Sequence, residues 1–530
     1  MAVRDFGNCR LCARKFDPLM ALLEDPRREI RSARRVDMWQ QLKNRGFLIV
    51  LIAVLIFSVA QTSHAQASVT TRVGTLKDGA TYLMEVPSDW NGTLFLYSHG
   101  YVAPGNPNPA MDVGDAATRL YMLASGFALA GSSYATTGWA IHEALEDQIA
   151  VLDLFDSMFG HPTSTIAWGH SLGGIITAGL IQRNPKRFSA AQPMCGVLSG
   201  GVATWNTALD GTFAFKTLLA PATDQLQLVD IMDPVANLTL AERILAAEQA
   251  TPQGRARIAL AAALGDLPGW FVPTSPEPSR TDFASQEANQ FLWDQQVDFP
   301  FVFALRAELE ARAGGNVSWN TGVDYRKQFE KSINRDEVWA LYQTAGLSLE
   351  GDLDALNDAA RIKADPSAVD YLKQNIIFNG QIDIPVLTMH TKGDGLVVVE
   401  NESAYKDVVD RVDDNRRLLR QTFVDRAGHC AFTPAETIAA VQTLLERLET
   451  GQWPSIDATP LNTEAAMLGP AFNIFSNANG MIVPVSPAFI DFTPAPYLRP
   501  FDAFTHQCGS RGRDGDHDCR DDDSAFLQTQ

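Results

Sequence analysis

Residues 164–180 read STIAWGHSLGGIITAGL. The stretch opens as a short β-rich apolar run and ends as an apolar run with helical character, with Gly169, Ser171 and Gly173 between them. A chain that passes from strand to helix within five residues needs glycine where the backbone tightens and where helix and strand approach closely. A strand feeding directly into a helix is the repeating unit of a parallel sheet, because parallel strands need crossover connections. This one segment therefore predicts an α/β protein. It also places Ser171 at a helix N-terminus, where free N–H groups favour developing negative charge.

The surrounding text keeps the same rhythm. TYLMEVP, GTLFLYSHG and FALAGSSYA read as strands. AIHEALEDQIAVLDLFDSMFG has apolar residues at helical spacing through Ile141, Leu145, Ile149, Leu152 and Phe155. LGGIITAGLIQRNP is a helix ending before Pro185, and FSAAQPMCGV is the next strand. The rhythm then breaks. From 198 to 382 the text is helical and irregular, with aromatics at Trp270, Phe271, Phe291, Trp293, Phe299, Phe301 and Phe303. It resumes with IPVLTMHTKGD (strand), VVVENESAYKDVVDRV (helix), LLRQTFVDRAGH (strand) and PAETIAAVQTLLERLET (helix). The expected organisation is one α/β core in two parts, 68–197 and 383–450, interrupted by a helical insertion at 198–382 and followed by an irregular tail, 451–530. Single aromatics of the insertion read as its own core, since apolar spacing alone marks a core.

The first 67 residues read as an upstream extension plus a secretory signal. Lys43 and Arg45 precede an apolar run from Phe47 to Val59, and Ala65-Gln66-Ala67 supplies a small-residue cleavage site. The run is short for a bilayer span, which takes ~20 residues, so export to the periplasm or medium is expected over an uncleaved anchor. The lone Cys9/Cys12 pair is a weak metal signal. Four cysteines remain beyond the signal, an even number that suggests disulfides in an exported chain: Cys508 with Cys519, which leaves Cys195 with Cys430. Asp514, Asp516 and Asp518 alternate like calcium ligands, but Cys519 and Ala525 stand where glycine and glutamate are required, so a solvated acidic terminus is expected. The net charge of −19 argues against nucleic acid and anionic membrane surfaces as partners. No dinucleotide fingerprint, P-loop or H-E-x-x-H occurs in the required context, so no cofactor or metal is expected.

A serine hydroxyl attacks a carbonyl only with a base in hydrogen-bond reach, a carboxylate to orient that base and donors for the oxyanion. Each has a candidate at the end of a strand. The Leu172 N–H, at the helix start, is one oxyanion donor. His99-Gly100 follows an apolar strand and presents the Tyr101 N–H as the second, with His99 shaping the loop. Asp394 closes the strand VLTMHTKGD and is the candidate acid; Asp383 precedes that strand and Glu400 falls in the next helix. His429 follows the last core strand and is the candidate base, while His390 lies within a strand and His170 belongs to the turn.

The segments SHGY, GHSLGG, HTKGDGLV and AGHCAF, in this order, resemble the α/β-hydrolase superfamily, and GHSLGG resembles the elbow of a lipase or esterase. The resemblance spans most of residues 70–450. It implies a mostly parallel central sheet with a large helical cap inserted between late strands. It further implies attack by Ser171, an acyl-enzyme, and hydrolysis by a water that His429 activates, on a small or oligomeric ester. A serine peptidase of aminopeptidase type is the alternative, requiring an acidic pair in the cap to hold a free amine; an inactive binding protein of this fold is the third reading. At Cys430 the chain resembles tannases and feruloyl esterases, which pair a cysteine beside the histidine with one beside the serine. Here His170 precedes Ser171, so that pairing is absent, and a Cys195–Cys430 bridge would brace the histidine loop instead. Trp139, just past a strand on the active edge, is a candidate for the pocket rim.

Overall fold

The computed structural model describes residues 68–504 apart from 222, 413–414 and 477–480. The signal segment, Cys9/Cys12, the Cys508–Cys519 pairing and the acidic terminus lie outside the described residues. Nine strands form one sheet: β1 Val69–Thr75, β2 Thr81–Pro87, β3 Thr93–Ser98, β4 Ala128–Ser132, β5 Ser164–His170, β6 Ala190–Met194, β7 Val386–Gly393, β8 Leu419–Ala427 and, from the tail, β9 Phe489–Ile490. Their spatial order is β1-β2-β4-β3-β5-β6-β7-β8-β9. The central run from β4 to β8 is parallel, with antiparallel strands at both edges. This is the α/β-hydrolase arrangement.

The parallel strands are near-continuous apolar runs because both faces are covered. One face packs against α2 (Ile141–Phe159) and α3 (Leu172–Arg183). The other packs against α1 (Ala116–Ala124) and α14 (Pro434–Thr450). Register then aligns the C-terminal strand ends on one edge. Ser98 pairs with Gly169, His170 with Met194, and Gly393 with Ala427. Ligands of open α/β sheets gather at that edge.

Between β6 and β7 the described chain is helical: α4 Gly201–Leu219, α5 Pro234–Gln249, α6 Pro252–Leu264, α7 Phe283–Trp293, α8 Arg306–Ala313, α9 Tyr325–Lys331, α10 Arg335–Ala345, α11 Leu349–Asp358 and α12 Pro366–Asn375. Asp233, Thr251, Asp282, Asp324 and Ser348 cap five of these helices by accepting from backbone N–H groups of the first turn. The insertion has an apolar core of its own, in which Phe299 and Phe303 pack on Phe215. Helices α7 and α8 are joined through two π-helical turns, Asp294–Asp298 and Phe301–Leu305. Pro300 between them has no N–H to donate, and such turns often mark functional sites.

The sequence showed no sign of β1 or α1. Part of the tail also differs from the irregular chain expected: α15 (Ala458–Met467) and β9 fold there, β9 pairing with β8 through Phe489↔Val424 and Ile490↔Phe423. The two-residue strand is too short for a periodic signal.

Candidate active site

Ser171 stands between β5 and α3 with φ 60° and ψ −122°. Positive φ in a non-glycine residue is uncommon and costs about 1–3 kcal/mol unless its surroundings hold it. The neighbouring glycines make the turn sterically feasible: a Cβ on Gly173 would lie 1.9 Å from the Ser98 carbonyl oxygen. The turn is anchored by the Ser171 N–H, which donates to the Met194 carbonyl at 3.0 Å. The 99–101 loop lies directly against it, since a Cβ on Gly100 would be 3.3 Å from the Ser171 Cβ.

Three residues that the sequence singles out, separated by more than 250 positions, meet in one line. His429 Nε2 is 2.8 Å from Ser171 Oγ, and His429 Nδ1 is 2.7 Å from Asp394 Oδ2. Asp394 is buried, and its Oδ1 accepts the Val397 N–H at 3.0 Å. Burial alone would raise its pKa, but the positive charge and hydrogen bonds of His429 and His390 prevail and hold it below the usual carboxylate value. The arrangement can move a proton from the hydroxyl to the imidazole while the carboxylate steadies the ring.

Leu172 is the first residue of α3, so its N–H has no partner in the preceding turn. The Tyr101 N–H makes no hydrogen bond to another described residue. His99 is stacked on Tyr134 with centroids 4.0 Å apart, and its two nitrogens face the carbonyls of Gly100 and Ser133 at 2.7 and 3.1 Å. Burial holds its pKa below the ordinary histidine value. That is a scaffold for the loop. His170 Nδ1 lies 3.0 Å from the Tyr97 hydroxyl, and burial, with help from the charge of His429, lowers its pKa to about 4.

Cys195 and Cys430 are disulfide-bonded. Both have positive φ, 42° and 53°, and the bridge ties the end of β6 to the residue after His429. Trp139 is buried, edge-on to Trp205 at 5.7 Å, and takes no part in the line of three: its backbone N–H donates to Glu308 on α8. The insertion reaches the site through other aromatics. Phe301 packs on Tyr101 at 5.2 Å, a Cβ on Gly393 would be 3.2 Å from Trp270, and one on Gly395 would be 2.3 Å from Trp293.

Two features escape sequence reasoning. His390, set aside as a base, lies behind Asp394 with Nε2 3.5 Å from Oδ2, and Glu402 faces its other nitrogen. An ionisable residue in the middle of an apolar parallel strand needs a buried partner, and that was the available signal. Asp294 and Asp298 line a cavity of ≈ 90 Å³ with Gly395, Leu396 and α4 residues. Burial, then Glu287, raises the pKa of Asp294 to about 8; burial, Asp294 and Asp394 raise Asp298 well above the usual value.

No family model matches the chain. It is 31% identical over 442 residues to the o-phthalyl amidase of Xanthobacter agilis, across 77% of this chain and 93% of that protein. The chain belongs to the o-phthalyl amidase family. Among solved structures it is similar to an esterase from Aspergillus oryzae (TM-score 0.37, 13% identity, 82% of this chain and 88% of that one). It is also similar to feruloyl esterase B from the same organism (TM-score 0.33, 13% identity, 72% and 80%). A third is the acylaminoacyl peptidase of Pyrococcus horikoshii (TM-score 0.30, 10% identity, 71% and 39%).

Proposed function

We propose that the chain is a serine hydrolase that cleaves carboxylic acyl bonds through an acyl-enzyme on Ser171. The observation that carries this reading is the hydrogen-bonded line Ser171–His429–Asp394. His429 takes the hydroxyl proton as Oγ attacks the acyl carbon. The Leu172 and Tyr101 N–H groups receive the oxyanion. His429 then returns the proton to the leaving alcohol or amine, and in the second half activates the water that releases the acid. Esters are the substrate class to which the sequence points. The relative is an amidase named for a phthalyl group, which brings amides of aromatic acids into the same scheme, because both bonds pass through one acyl-enzyme. Tyr101, Phe301, Trp270 and Trp293 around the candidate loops suit an aromatic acyl group. Export remains part of the proposal, supported by the apolar run and cleavage pattern at 47–67 and by the Cys195–Cys430 bridge. No described helix is long and apolar enough to cross a membrane.

One observation favours a second reading. Asp294 and Asp298 are an acidic pair in the insertion, on the wall of a cavity that also includes Gly395 next to Asp394. An enzyme that grips a free amine needs such a pair. A panel of aryl esters, phthalyl amides and aminoacyl arylamides separates the readings. Hydrolysis of the first two, lost in Ser171→Ala, is the expected result. Turnover confined to aminoacyl arylamides would move the assignment to a peptidase, and no turnover of any of the three would contradict both.

A further inference from the structure

His390 occupies the middle of β7 and is fully buried. Its Nε2 is 2.7 Å from the Val397 carbonyl oxygen, which can only accept, so Nε2 carries a proton. Its Nδ1 is 3.2 Å from Glu402 Oε1. The other oxygen of Glu402 already accepts from the Thr388 hydroxyl and the Gln421 amide. A neutral imidazole has one N–H, and here both nitrogens face acceptors. We propose that His390 is a buried, doubly protonated imidazolium held between Asp394 and Glu402, and that it is a positioning residue setting how acidic a medium the Ser171–His429 pair tolerates. This rests on the acyl-enzyme reading above.

The reason lies in the oxygen that the two rings share. Asp394 Oδ2 is 2.7 Å from His429 Nδ1 and 3.5 Å from His390 Nε2. A lone carboxylate behind the base would favour the charged form of His429 strongly. With a cation already on its far side, the carboxylate offers less to a second one. His429 then stays neutral, and able to act as a base, in a more acidic medium. Among the described residues, the charged and titratable groups facing this array are Glu402 and Tyr405 on α13 (Asn401–Asp410), Glu400 just before it with Asp266 of the insertion beside it, Asp394 itself and Asp298 from the insertion; His170 faces His429 from the nucleophile turn. No lysine or arginine is among them, so His390 is the one fixed cation in the array. Burial works against its charge, yet the bonds to Asp394 and Glu402 raise its pKa to about 10.

The test compares wild type with His390→Gln and Glu402→Gln by the pH dependence of kcat/KM on the best substrate of the panel. Glu402→Gln leaves His390 and Asp394 in place but removes the carboxylate that holds the second proton. The acid limb is expected to move upward by about one pH unit in both variants, with about tenfold lower kcat/KM on that limb and little change on the alkaline side. Imidazole ¹⁵N spectra of histidine-labelled wild type are expected to show two N–H groups on His390 at pH 8, and one in Glu402→Gln. A single N–H in wild type overturns the proposal, as does an acid limb that stays put or moves downward in variants whose circular dichroism matches wild type. These outcomes are read while wild-type turnover still depends on Ser171, so they are distinct from failure of the acyl-enzyme reading.

Discussion

At Ser171 the backbone holds a conformation that costs a non-glycine residue about 1–3 kcal/mol, and Gly173 is part of what makes it tolerable. An alanine there would drive its methyl into the Ser98 carbonyl. In an open helix the same change would be favourable, because alanine is the better helix former. Gly173→Ala is therefore expected to destabilise the fold by about 1–3 kcal/mol and to reduce turnover, as read by urea unfolding and by steady-state rates. A stabilised, fully active variant would contradict the close approach of β3 and α3. Residues of this kind were legible in the sequence. Ser171, Asp394 and His429 each follow an apolar strand, and strands are what periodicity and glycine punctuation reveal best. His390 was visible as a residue but not as a participant. Its role depends on which carboxylate oxygen it faces, and that is decided by packing between β7 and α13.

The loop bearing His429 illustrates the next scale. It is pinned between β8 and the capping box of α14, where Thr433 and Glu436 exchange hydrogen bonds, and by the bridge from Cys430 to the end of β6. The two bridged residues both have positive φ, so removing the bond frees two unfavourable backbones beside the candidate base. Cys195→Ala/Cys430→Ala is expected to lower stability by about 2–4 kcal/mol and to lower kcat more than it raises KM. Chemical unfolding and progress curves measure both. Unchanged kcat in the double variant would show that the bridge serves only the fold. The pairing was readable from cysteine parity, but the insertion was not readable in detail. Helices α5, α6, α8, α10 and α12 could be recognised in the sequence, whereas α4, α7, α9 and α11 were not, and which aromatic would meet Tyr101 or Gly395 follows from how the helices stack.

Across the whole molecule the sheet dominates, and its central strands were legible because they are buried on both faces. Its edges were not: β1 is mostly exposed and β9 is two residues long, so neither carries a strong pattern. Burial also sets a pH dependence of stability. Asp294 rises from 3.8 to about 8 and Glu337 from 4.5 to about 8, in both cases chiefly through burial. The folded chain therefore holds protons that the unfolded chain has released. The resulting stability is full below the unfolded values near 4 and is lost as pH rises toward 8. Asp294→Asn and Glu337→Gln are expected to raise the melting temperature at pH 8 relative to wild type, and to do so less at pH 5. A larger gain at pH 5 would contradict the burial of these acids as protonated groups.

All of these arguments depend on Ser171 being the nucleophile. The direct measurement is reaction of the purified protein with a fluorophosphonate, followed by mass mapping of the adduct. The account predicts one adduct, on the peptide containing Gly169–Gly173, with no labelling in Ser171→Ala. Labelling that survives in Ser171→Ala, or an intact wild type that never reacts, would contradict it.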